Sequence, residues 1–216
     1  MPCTVCCRTS ATPPGPALRC PGDFVEFPSQ VNEIWAYEPG PIRRFARHHV
    51  TGEALPTSSL ETLIASRQGT GEHTLELLQA MVVDQAWHQS PLEELPEDGW
   101  GVEAFEAAAL ARAGIDVPLI APRYRSAYFH HVFGGGYAAG YYSYLWSEVM
   151  DADTVAWFRD QGTVEQPAGM TRAAGERFRR ELLARGGSVD AMETYRRFRG
   201  ADPDVSHLLA RIGLSG

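Results

Sequence analysis

The sequence contains no lysine; all 19 of its basic residues are arginine. That usage points to a GC-rich coding sequence more than to any chemistry. Against 27 acidic residues it leaves a formal net charge of −8. Such a balance repels phosphate backbones and anionic lipid, so neither nucleic acid nor a membrane surface is an expected partner. No apolar run approaches the length needed to span a bilayer. The first residues also lack the apolar core of a secretion signal, so the expected location is the cytoplasm. Cysteine is confined to Cys3, Cys6, Cys7 and Cys20. Cys3 and Cys6 have C-x-x-C spacing, but a four-thiolate site needs a second spaced pair and Cys20 stands alone. No metal site is expected there. No stretch alternates in the manner of a strand, and no segment repeats. The expected class is therefore mainly α, in a chain of 216 residues and 44% hydrophobic content, enough for a sizeable core.

What is present reads as helices joined by turns. Residues 23–37 have one apolar face of Val25, Pro28 and Val31 or Ile34, and a polar face of Glu26, Gln30 and Glu33. Pro28 belongs in a first turn. Residues 39–41 read as a turn, 42–51 and 60–67 as short helices, and 67–71 as a loop. His48 and His49 are adjacent, so on a helix they point about 100° apart and read as structural. Residues 72–88 form a long helix with Leu75, Leu78, Met81, Val82 and Ala86 at helical spacing. His73 and Glu76 are one turn apart on it, a weak metal pair with no third partner nearby. Residues 90–100 are an acidic, proline-rich loop, 102–113 an amphipathic helix and 116–122 an extended linker. Further helices are expected over 170–185, 192–198 and 204–212, with Gly186-Gly187 as a C-cap.

The chemistry concentrates in residues 129–150, FHHVFGGGYAAGYYSYLWSEVM. With a helix starting near Tyr137, Tyr137 and Tyr144 lie two turns apart, roughly 10 Å along one face. Gly134–Gly136 before them lets the backbone bend and a ligand approach. Phenols are neutral donors that can hold a developing oxyanion. Packing of an aromatic stripe in a core is the competing reading. Arg123 and Arg125 could clamp a peptide carboxylate, although solvated arginine is the plainer expectation.

The run HHVFGGGYAAGYYSYLW at 130–146 resembles the C-terminal part of the thimet oligopeptidase family of zinc metallopeptidases, on the side of the bacterial peptidyl-dipeptidases. DFVEFPSQVNEIW at 23–35 resembles the stretch carrying that family's third zinc ligand, and PRYRSAYFHH at 122–131 also fits. The resemblance implies a C-terminal part, residues 23–216, of a helical, clamshell-shaped peptidase acting on short peptides. It implies Glu26 as a zinc ligand, Tyr144 as oxyanion donor, and Tyr137 and His131 as substrate-binding or transition-state partners. His130 is the adjacent alternative to His131. Gly135 and Gly136 would line the peptide site. Glu33 reads as solvated.

The resemblance fails over residues 1–22. The family's His-Glu-x-x-His, which supplies the other two zinc ligands and the base, occurs nowhere in the chain. Its second histidine would stand 25 residues before Glu26, at Met1. The likely codons read one nucleotide upstream permit His-Ala-Leu-His-Gly-Leu-Leu, similar to the family from that histidine onward. The expectation is thus an out-of-frame or disordered tail joined near Asp23, an inactive truncated piece, and the missing N-terminal half as partner. A non-catalytic helical peptide-binding module, keeping the tyrosine wall, is the alternative, and a plain helical scaffold the third reading.

Overall fold

A computed structural model of the chain describes residues 20–66 and 71–214. Cys3, Cys6, Cys7 and most of the tail and of the 67–71 loop lie outside the described residues. The helices are α1 Phe27–Trp35, α2 Pro39–Phe45, α3 Thr57–Ser66, α4 Gly71–Gln89, α5 Val102–Arg112, α6 His130–Phe133, α7 Ser143–Asp160, α8 Arg172–Glu181, α9 Ala191–Arg199 and α10 Ser206–Arg211. Among the described residues there is no strand, only one isolated bridge between Arg47 and Ala54. The mainly α expectation holds. No helix among them is long and apolar enough to cross a membrane.

Local chemistry explains most boundaries. Pro28 and Pro39 fall in first turns, where the missing N–H costs nothing. Thr171 Oγ1 accepts from the Ala174 N–H at 3.2 Å, and Asp190 Oδ1 from the Glu193 N–H at 2.9 Å. These side chains start α8 and α9 by satisfying donors that a helix cannot satisfy itself. Two expected boundaries move. α2 begins at Pro39 and stops at Phe45, so His48 and His49 sit in a turn outside it, their rings stacked at 5.1 Å. α7 begins only at Ser143, leaving Tyr137 outside the helix.

The described residues fall into two compact units, 20–66 with 146–214, and 71–145. The first has an aromatic core. Phe27 meets Phe24 and Tyr195 edge-on at 5.2 and 5.5 Å, and Trp157, Phe158, Phe178 and Phe198 continue the cluster. Cys20 packs against it. A buried carboxylate ties α7 to the C-terminal helices. Asp153, fully buried, accepts the Tyr195 hydroxyl at 2.5 Å and Arg199 Nε and Nη2 at 2.9 and 3.0 Å, with His207 Nε2 at 3.3 Å. Asp151 pairs with Arg211 beside it.

The second unit is built on α4 and α5. The expected α4 stripe of Leu75, Leu78, Met81, Val82 and Ala86 is only half-buried. The buried face is instead Leu77, Gln79, Ala80, Val83 and Asp84. Two polar residues belong to it because irregular backbone needs partners there. Gln79 Nε2 donates to the carbonyls of Ile115 and Ile120 at 2.9 and 3.2 Å, tying down the 116–122 linker.

Replacing Asp153 by alanine would leave the Arg199 guanidinium without its buried partner. The expected loss is about 3–5 kcal/mol of unfolding free energy, read from urea denaturation. An unchanged midpoint would show that this network carries no stability.

Candidate functional site

The second unit gathers an imidazole and four phenols. α6 carries His131, and its ring centroid lies 5.1 Å from Tyr124, 5.9 Å from Tyr141, 6.2 Å from Tyr137 and 6.3 Å from Tyr144. Tyr137 and Tyr144 stack at 5.4 Å, and Tyr141 meets Tyr144 at 4.8 Å. The two expected site tyrosines are therefore together, but not by helical periodicity. A non-helical turn over 138–142 folds Tyr137 back against Tyr144 in the first turn of α7.

The cluster has a buried back and an accessible front. Phe129 and Tyr141 are buried and form the floor with Leu77, Ala80 and Val132. His131, Tyr124, Tyr137 and Tyr144 are half-buried. Both the core reading and the wall reading of the aromatic stripe thus describe part of it. His130 is exposed and its ring lies over Gly134 instead of among the tyrosines, which favours His131 for the inward role.

Two glycines are required by geometry. A Cβ on Gly135 would stand 2.9 Å from both the Cα and the carbonyl oxygen of His131, and Gly136 has φ +88°. Side chains at either position would displace the backbone that carries the imidazole. Further along, Ala139 takes φ +53° without being glycine, a conformation that costs an ordinary residue roughly 1–2 kcal/mol.

Asp84, missed in the sequence, holds this turn. Its carboxylate is fully buried on α4 and accepts the Ala139 N–H at 3.0 Å and the Tyr141 N–H at 2.9 Å. His88 Nδ1 lies 2.9 Å from the same carboxylate. Gln85 Nε2 donates to the Ala139 carbonyl at 2.8 Å. Nothing local marked Asp84, because an aspartate inside a long helix reads as solvated and its partners lie 55 and 57 residues away.

Arg125 is engaged elsewhere: its Nη1 donates at 3.0 Å to buried Glu106, which also accepts the Ser126 N–H at 2.6 Å. Trp87 Nε1 donates to Ser126 Oγ at 2.7 Å. Arg125 is exposed, as expected of a solvated arginine, but its guanidinium is also tied to buried Glu106 and so anchors the segment leading to α6. The Arg123 N–H donates to the Glu76 carbonyl at 3.1 Å. Burial pushes the Tyr141 phenol well above its usual range, with Tyr124 adding to the rise and Arg123 opposing it.

Glu26 precedes α1 in the other unit, half-buried, its carbonyl accepting the Gln30 N–H at 3.0 Å. Among the described residues no three His, Cys, Asp or Glu side chains are grouped to hold a metal ion; the His73 and Glu76 pair accordingly gains no third ligand.

The model of Peptidase family M3 matches residues 8–214. A dipeptidyl carboxypeptidase of Escherichia coli (strain K12) is 44% identical over 196 residues, covering 90% of this chain and 28% of the relative. The dipeptidyl carboxypeptidase of Salmonella typhimurium is 46% identical over 195 residues, with 90% and 27% covered. Oligopeptidase A of Escherichia coli is 34% identical over 200 residues, with 91% and 28% covered. The chain spans little more than a quarter of the length of these relatives.

Two phenols should report the burial just described. Tyr195 is also held well above its usual range, by burial first and Asp153 second. A raised folded-state pKa stabilises the fold fully below the unfolded phenol value, near 10; that contribution is lost as pH rises beyond it. In an alkaline absorbance titration of the eight tyrosines, Tyr141 and Tyr195 should ionise last, together with unfolding. Tyr141→Phe and Tyr195→Phe should each remove one late phenol. An unchanged late fraction in either variant contradicts the assignment.

Proposed function

Since the chain belongs to peptidase family M3, we propose that it forms the peptide-contacting tyrosine–histidine wall of a peptidyl-dipeptidase-type metallopeptidase. The observation that carries this reading is the cluster of His131, Tyr137 and Tyr144 around one half-buried front, inside the region matched by the family. Short peptides are the proposed ligands.

The roles follow from the side chains. A phenol donates one strong hydrogen bond and stays neutral at pH 7, so Tyr144 can donate to a carbonyl oxygen as it gains charge. Stacked Tyr137 fixes the plane of that ring and offers a second hydroxyl. His131 can donate or accept at either nitrogen, which suits it to a peptide N–H or C=O. Gly135 and Gly136 leave the backbone bare where a peptide would run beside them.

The family resemblance implies one zinc ion. The residues here do not fit it by themselves: no His-Glu-x-x-His occurs in the sequence, and no three potential ligands group together among the described residues. Glu26 is proposed as a single carboxylate ligand, and two further ligands and the base would come from outside this chain. Peptide binding without hydrolysis is therefore the activity proposed for the chain itself, which also accommodates the reading as a peptide-binding module.

Calorimetric titration with short peptides bearing free C-termini tests this. Binding is expected, and Tyr144→Phe should weaken it by roughly 2- to 10-fold, the equivalent of one hydrogen bond. With added zinc the purified chain should release no dipeptides. Chelator-sensitive turnover, or binding indifferent to Tyr144, would contradict the proposal.

A further inference from the structure

We propose that Asp84 is a positioning residue for the tyrosine–histidine wall, latching the 138–142 turn so that Tyr137, Tyr141 and Tyr144 keep their places around His131. The inference rests on the wall reading above for its functional meaning, but its geometry stands alone. Asp84 is fully buried in the middle of α4. Both its oxygens are spent on backbone N–H groups of one turn, Ala139 at 3.0 Å and Tyr141 at 2.9 Å. Bonds from an ionised acceptor are about twice as strong as neutral ones. One of the two donors is not an ordinary residue: Ala139 holds φ +53°, which L residues other than glycine and asparagine rarely adopt.

The neighbours complete a grip on both sides of that residue. Gln85 Nε2 donates to the Ala139 carbonyl at 2.8 Å, while Asp84 takes its N–H. His88 Nδ1 stands 2.9 Å from Asp84 and faces the carboxylate from one turn further along α4. Released, the turn would lose its reason to keep Ala139 left-handed, and the stack of Tyr137 on Tyr144 would lose its register. Through these two bonds Asp84 acts on the rings by way of the backbone. That distinguishes it from Tyr144, His131 and Tyr137, whose side chains face the front of the site.

Asp84→Asn tests the latch, because an amide keeps the shape but cannot accept two N–H bonds without turning its own NH2 toward one of them. The readout is the His131 ring Cε1–H signal in the NMR spectrum of the chain, which four flanking aromatic rings displace from the position of a free histidine. In D84N, under conditions where circular dichroism shows full helix content, that displacement should be largely lost, while the His207 signal stays in place. A folded D84N with the His131 signal unmoved would overturn the proposal. Should D84N not fold, Gln85→Ala carries the test: it frees the Ala139 carbonyl without stranding a buried charge. The His131 signal should then move the same way by a smaller amount, and an unmoved signal overturns the latch. Neither readout needs metal or peptide. Lost peptide binding in a wild-type chain with an intact latch would therefore count against the function alone.

Discussion

One buried carboxylate accepting two backbone N–H groups is the interaction on which the candidate site depends. The turn over residues 138–142 has no helix or strand ladder to satisfy its backbone, and Ala139 within it is left-handed. Asp84 supplies the missing acceptors from a rigid helix. Remove that acceptor and the buried Tyr141 N–H is orphaned, at the full cost of its desolvation, and the Ala139 N–H loses its partner. The Tyr137 N–H is held separately by the His131 carbonyl at 3.0 Å, so Asp84 acts chiefly on the turn that carries Tyr141 and leads into Tyr144.

The same device recurs where the described residues have no sheet to organise their irregular segments. Glu106 on α5 accepts from Arg125 and the Ser126 backbone, fixing the approach to α6. Asp153 on α7 gathers Tyr195, Arg199 and His207 from the C-terminal region. Gln79 does for the 116–122 linker, with an amide, what the carboxylates do elsewhere. In each case a polar residue on a helix's buried face reaches a partner far along the chain, donors for the three carboxylates and carbonyl acceptors for Gln79. Such groups are tolerated only when paired.

Much of the helix pattern was legible from spacing, capping residues and proline, as in α1, α4, α5, α8 and α9. That Tyr137, Tyr144 and His131 lie near one another was legible too, because they crowd into a short run. Their arrangement was not. Periodicity placed Tyr137 and Tyr144 on one helical face, whereas Gly136 and Ala139 at positive φ break that helix and bring the rings into a stack. The buried face of α4 was misread for a related reason. A hydrophobic pattern favours Leu75, Leu78 and Met81, and it has no term for Gln79 or Asp84, whose burial is decided by loops far along the chain. His48 and His49 left their expected helix because α2 starts early on Pro39 and is spent by Phe45.

On the proposed reading, what the chain would bring to peptidase chemistry is a preorganised set of donors, fixed before any ligand arrives. Preorganisation is what gives such donors their value toward a developing charge. Intermolecular nuclear Overhauser effects between an isotope-labelled short peptide and the chain test this claim most directly. The account predicts contacts from the peptide to the rings of Tyr137, Tyr144 and His131, and to Gly135 or Gly136. A peptide that binds with contacts only elsewhere on the chain would contradict it.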